Sequence, residues 1–317
     1  MNYELKIQNS KFKIRKSWVF AWLFVFSAAG VAPVCTGVRA AGSIITGLHK
    51  EKFLNWEDSS ATGIALVTGH GGELYALFDA PPRLVVWKSS GATGGESGDI
   101  SGLVRAPTDL VSDGGVQLLV VDPWLEHIVR LNRKLQLLPP VIPVNVSGQD
   151  FEPVSICRVT DGTLFVVNRA DDDVWRINRD GRTAPLGWSP VRSGRLDKPF
   201  RIDYAASIDR MLILDDDEVK LTSPYGAPDL LIKTSLTQPV GIGVNHDEAW
   251  LVGDGLSCIS LARRAQTFFV PLDSLVAWGI YPAVDVASSD DQRLYLLPEN
   301  GGQVLVMKVE RSVEGHP

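Results

Sequence analysis

Six copies of one pattern run along this 317-residue chain, and their spacing leaves few folds open to it. Each copy has an apolar strand start, a tight turn, an aliphatic run ending in a polar residue, and a second aliphatic run. The clearest is Pro153-Val-Ser-Ile-Cys-Arg-Val-Thr-Asp-Gly-Thr-Leu-Phe-Val-Val-Asn168, followed by Asp173-Val-Trp-Arg-Ile-Asn-Arg-Asp-Gly181. Its counterparts start near Ala61, Pro107, Pro199, Pro239 and Ala283, giving spacings of 46, 46, 46, 40 and 44 residues. A period in this range marks supersecondary units that bury their apolar faces against neighbouring copies.

The chemistry of the units is regular. A branched aliphatic residue recurs three positions after each start: Ile64, Leu110, Ile156, Ile202, Ile242 and Val286. Turn residues follow, among them His70-Gly-Gly72, Asp113-Gly-Gly115 and Asp161-Gly162. Asp-Gly and Gly-Gly suit hairpins that need positive φ. Second strands such as Leu164–Val167 and third strands such as Val174–Ile177 come next, and no segment after the N-terminal region carries a helical apolar period. Short strands between turns at this spacing indicate an all-β fold. The expected architecture is a six-bladed β-propeller of four-stranded antiparallel blades spanning residues 41–309, with residues 310–317 as a polar tail. The sixth unit lacks an outer strand. Ser43-Ile-Ile-Thr46 is the candidate to supply it and close the ring.

Pro239-Val-Gly-Ile-Gly-Val244 with Trp250-Leu-Val252, together with the third unit quoted above, resembles the NHL repeat. The resemblance covers essentially the whole chain after residue 40 and weakens in the first and sixth units. It implies a six-bladed propeller and leaves function open, because NHL-like propellers include binding modules and enzymes.

Lys6, Lys11, Lys13, Arg15 and Lys16 precede an almost unbroken apolar run from Trp18 to Val34, and Val38-Arg39-Ala40 follows. Residues 1–40 therefore read as a secretory signal peptide, with an uncleaved membrane anchor as the alternative. Either way the rest of the chain is exported to a periplasmic, cell-envelope or extracellular location. Without residues 1–40 the chain carries 25 Lys+Arg against 36 Asp+Glu, a net charge of −11. That balance argues against a nucleic-acid partner, whose phosphates demand clustered cations. Cys157 and Cys258 fall in distant strands and read as two buried thiols rather than a disulfide.

In a propeller the first strand of each blade lines the central channel, and the residues flanking its aliphatic position are expected to face the axis. By that rule Asp109, Arg201 and Asp285 converge from alternate blades, with Asp203 beside Arg201. An Arg among carboxylates can position a polar ligand or hold a structural ion-pair network. A second series, Asp122 with Glu126, Asp171-Asp-Asp173 and Asp215-Asp-Asp217-Glu218, falls where second strands turn into third ones. No cofactor is firmly implied. Calcium is the ion such oxygen-rich loops would suit, with Asp122, Asp172 and Asp215 as candidate ligands, while turn capping by the same side chains is the structural alternative. Trp124, in one of these loops, is a candidate binding residue, and Trp188, Trp278 and Tyr281 also read as exposed. No channel-facing position is His, and no Gly-x-Ser-x-Gly elbow occurs. The functional expectation is an exported binding or scaffolding module for a protein or glycan partner. The alternative is a metal-dependent, lactonase-like hydrolase at the channel mouth, and membrane contact arises only if the N-terminal segment stays attached.

Overall fold

A computed structural model describes residues 43–56, 60–79, 81–88, 96–113, 116–145, 150–188, 195–228, 230–300 and 302–313. The signal-peptide reading of residues 1–40 lies outside the described residues. Gly42–Pro317 forms one compact unit.

Six antiparallel sheets follow one another in chain order, each starting with its innermost strand. Blade I comprises Thr62–Thr68, Leu74–Asp79, Arg83–Trp87 and Glu96–Asp99; blade II comprises Asp109–Ser112, Gln117–Val121, Ile128–Asn132 and Leu137–Val141. Blade III is Pro153–Arg158, Leu164–Asn168, Asp173–Ile177 and Arg182–Pro185, widened by Val144–Asn145 pairing parallel on its outer edge. Blade IV is Pro199–Ala205, Arg210–Asp215, Glu218–Thr222 and Leu230–Ile232, and blade V is Pro239–Asn245, Glu248–Gly253, Gly255–Ser260 and Ala265–Pro271. Blade VI takes Ala283–Ser288, Arg293–Pro298 and Gln303–Val313 from the end of the chain and Ser43–Asn55 from its beginning. The expected closure is present and longer than the four residues the sequence suggested. Ser43 pairs with Val313 and Asn55 with Gln303. The last strand therefore continues to Val313, so residues 310–313 belong to the ring rather than to a tail. One short helix, Leu272–Trp278, leads from blade V into blade VI. Glu96–Asp99, within a Gly/Ser-rich stretch, forms the outer strand of blade I.

Six apolar clusters hold the ring together, one at each junction between blades. The repeated aliphatic residue always packs back onto the preceding blade: Leu110 against Leu77 and Leu84, Ile156 against Val121 and Ile128, Val286 against Trp250 and Val252. In blade I the residue in this place is Leu66, packed against Leu297 and Val304, and not Ile64 as the sequence alignment had it. The cause is an offset of two residues in where the repeat starts: Gly63, not Ala61, takes the place that Pro153 holds in blade III. Gly63 pairs with Phe78 and Ala65 with Leu77, so Ile64 is an extra, unpaired residue. The same bulge recurs in blades III to VI at Val154, Phe200, Val240 and Val284. In blade II Thr108 takes its place, donating its amide to Val121 O while Asp109 pairs with Val121. Each bulge comes two residues before the aliphatic position.

Cys157 and Cys258 are both buried free thiols. Burial pushes both pKa values up, which makes them poor nucleophiles.

Candidate functional site

The residue before the repeated aliphatic reads Ala65, Asp109, Ser155, Arg201, Gly241 and Asp285 in blades I to VI. The alternation rule directs these side chains toward the axis. Three of them instead point sideways and staple one blade to the next. Asp109 Oδ2 accepts the amide of Ile156 at 3.0 Å, Ser155 Oγ accepts that of Ile202 at 3.1 Å, and Asp285 Oδ2 accepts that of Leu66 at 2.7 Å. The staples therefore join blade II to III, III to IV, and VI to I. Asp203, two residues further along, joins IV to V by accepting the amide of Val244 at 2.8 Å. In every case the acceptor satisfies a main-chain N–H of a strand whose own ladder faces the other way.

Two junctions lack such a side chain, and each is completed differently. At V–VI the glycines bring the backbones into contact: a Cβ on Gly243 would lie 2.2 Å from Val286 O, and one on Gly241 2.6 Å from Val284 O. At I–II, where Ala65 has no acceptor, Arg201 reaches across the channel from blade IV. Its Nη1 donates to Thr108 O at 2.8 Å and its Nη2 to Ile64 O at 3.2 Å, so one guanidinium binds bulge carbonyls of both blades. Nη1 also lies 3.0 Å from Asp109 Oδ1. The Ser155 hydroxyl donates to Asp109 Oδ2 at 2.5 Å, and Asp109 Oδ1 caps the amide of Leu110 at 2.8 Å. Arg201 and Asp109 thus form a mostly buried plug across the channel.

This arrangement brings together Asp109, Arg201, Asp203 and Asp285, as the repeat alignment implied. It adds Ser155, which stands at the same repeat position and which its small, uncharged side chain concealed. Burial raises Asp285 to about 7, against the lowering pull of Arg201 and with a further rise from Asp109. Burial likewise raises Asp203 to about 7, its hydrogen bonds from Tyr204 and Val244 notwithstanding. Carboxyl groups that titrate near neutrality can exchange protons. On the side of the first hairpin turns the plug floors a cavity of about 1000 Å³. Its walls include Arg158, Thr160, Tyr204, Asn245, Ser288 and Arg293.

The acidic series lies at the opposite end of the ring. Asp122 accepts the amides of Arg105 and Ala106 with Oδ2 and that of Trp124 with Oδ1. Asp215 accepts the amides of Asp197 and Lys198 and pairs with Lys220 Nζ at 2.5 Å. Both are buried turn caps that tie a strand end to the loop entering their own blade. Asp172 sits in the left-handed region at φ 50° and is solvent-facing. Burial, then the neighbouring Asp171, Asp197 and Asp215, raises its pKa. Among the described residues no group of three or more His, Cys, Asp or Glu is arranged to hold a metal ion. The candidate calcium ligands Asp122, Asp172 and Asp215 are accordingly not gathered into one site. Trp124 is 66% exposed on this same face, away from the plug and its cavity. Trp188 is buried in the junction of blades III and IV instead of exposed, and Tyr281 is exposed.

The architecture has close counterparts among solved structures. Virginiamycin B lyase from Staphylococcus aureus with quinupristin is similar at a TM-score of 0.58 and 14% identity, covering 83% of this chain and 99% of that one. A gluconolactonase from Xanthomonas campestris is similar at 0.59 and 13%, covering 86% and 99%. YCF48 bound to a D1 peptide is similar at 0.53 and 9%, covering 82% and 97%. At these identities the likeness establishes the propeller fold and nothing finer. No family model and no curated protein matches the sequence.

Proposed function

We propose that this chain is an exported propeller of the NHL type that binds a protein or glycan partner at the cell envelope, serving as a rigid platform rather than a reaction chamber. One observation carries the reading. The charged and hydroxyl groups that converge on the channel are committed to main-chain amides, main-chain carbonyls and one another. Groups so committed are preorganised to hold blades in register, and freeing them for a substrate would cost buried hydrogen bonds. The basic stretch and apolar run before residue 40 support export, and the motifs around Pro153 and Pro239 support the NHL assignment.

A second reading is a metal-dependent, lactonase-like hydrolase. It is favoured by the cavity above the plug and by Asp203 and Asp285 titrating near neutrality at its floor. One experiment separates the two. The exported protein is screened against peptide and glycan arrays, and in parallel against a panel of lactones with calcium, magnesium, manganese or zinc supplied. Ligand retention without turnover supports the platform. Turnover that disappears in folded Asp109→Asn and Asp285→Asn variants replaces it with the hydrolase.

A further inference from the structure

The bulges gather an apolar collar at the end of the ring where the chain enters each blade. Ile64, Val154, Phe200, Val240 and Val284, with Thr108 as the one hydroxyl, are the extra residues of the six inner strands. Ile64, Val154, Phe200 and Val284 lean onto the inter-blade clusters and stay partly exposed, while Val240 is 39% exposed. Arg201 binds the carbonyls of Ile64 and Thr108, so the plug closes the channel directly beneath this collar. The result is a ring of partly exposed apolar side chains around the channel mouth, above the Arg201 plug. Exposed apolar surface concentrated in one place on a soluble protein marks a contact site, and Trp124 and Tyr281 stand exposed on the same end, at 66% and 56%.

The rim has a definite sign of charge. Asp172, Asp197, Asp216 and Asp217 are exposed between blades III and IV; the cations there are Arg195, Lys198, Arg169, which pairs with Glu152, and Lys220, which pairs with Asp215 and Glu218. The pKa of Asp172 is raised first by burial, then by Asp171, Asp197 and Asp215. A sugar would leave its hydroxyls without partners against five apolar side chains, and a bare cation would have to shed water there. An apolar side chain with cationic neighbours meets both requirements.

We propose that this face docks a segment of a protein partner in which one apolar side chain is flanked by Lys or Arg. The apolar side chain enters the collar, and the basic flanks lie against Asp172, Asp216 and Asp217. The Arg201 plug beneath the collar keeps the docked segment at the channel mouth and prevents a chain from threading the ring. This proposal rests on the binding reading above and names the surface and the partner chemistry.

The test uses fluorescence anisotropy with three short synthetic peptides: a leucine flanked by lysines, the same sequence with serine for leucine, and the same with glutamates for lysines. The leucine–lysine peptide is expected to bind, with affinity falling as salt rises. Val240→Lys, and separately Asp172→Lys with Asp217→Lys, are expected to weaken it roughly tenfold or more at unchanged melting temperature. Tyr225→Ala, on the opposite face, is expected to leave it unchanged. Equal binding of the serine peptide overturns the collar, and equal binding of the glutamate peptide overturns the charge match. Failure of all three peptides to bind at low salt overturns the docking surface while a ligand found on the arrays preserves the platform. Lactone turnover would remove the platform itself.

Discussion

Arg201 of blade IV and Asp109 of blade II meet across the channel with Nη1 and Oδ1 3.0 Å apart, and the same guanidinium holds carbonyls of blades I and II. One side chain therefore ties three blades. Arg201→Met keeps the length and removes the charge, leaving Asp109 buried without its cation. Breaking a buried pair in this way costs about 3 kcal/mol. Urea unfolding should show that loss, and Arg201→Lys should recover only part of it, because an ammonium cannot fork between two carbonyls. A midpoint for Arg201→Met equal to the parent would show that the plug contributes nothing to stability.

Asp203 and Asp285 give the fold an unusual pH dependence. Both titrate near 7 in the folded chain, against about 4 in an unfolded one. The folded state therefore binds more protons than the unfolded state between those limits. Their stabilising contribution is complete below about pH 4 and is lost as pH rises through 7. Asn at position 285 keeps an acceptor for the Leu66 amide but has no proton to lose. Between pH 5 and 8 the melting temperature of the parent should fall relative to that of Asp285→Asn. Parallel curves for the two proteins would contradict the raised value.

The V–VI junction depends on the absence of side chains. A methyl on Gly243 would lie 2.2 Å from Val286 O and 3.1 Å from Ala287 Cα, and two inner strands cannot part there without disturbing the cluster around Val286. Gly243→Ala should lower stability by about 2 kcal/mol or more, an overpacking cost. Calorimetry checks it, and an unchanged transition would mean the strands separate freely.

Closure rests on pairing between the two ends of the chain, reinforced where Arg311 forks onto Glu248 of blade V, Nη2 to Oε2 at 2.7 Å. Deleting Ser43–Asn55 exposes the edge of Gln303–Val313 and uncovers Leu305, Met307 and Val309. The melting temperature is expected to drop by roughly 10 °C, the shift that about 3 kcal/mol produces in a chain of this size. An unchanged melting temperature would sink the closure model.

Much of the ring was readable from sequence because period-two alternation and turn residues are local signals. The starts at Pro153, Pro199 and Pro239 coincide with the first residues of inner strands. The mismatch at Ile64 has a physical origin: the repeat in blade I starts at Gly63, two residues after Ala61, and the run Ile64-Ala-Leu66 carries aliphatic residues at both spacings, so the pattern points to Ile64 where the packed residue is Leu66. Asp109, Arg201, Asp203 and Asp285 were found because charge stands out on an apolar strand. Ser155 was not, since a serine there looks like any small residue. What the sequence could not convey was direction. Whether Asp109 points at the axis or at the amide of Ile156 depends on the separation between blades, which no local pattern encodes.

The pairing of Ser43 with Val313 also imposes an order of assembly. The first strand of the ring to leave the ribosome is the last to find its partner, which is made after every other strand of the ring. Until then Ser43–Asn55 is an unpaired strand with open N–H and C=O groups, the kind of edge that recruits a neighbouring chain. The ring can mature only after its full length exists, and a ribosome stalled before Gln303 would release a chain unable to shut.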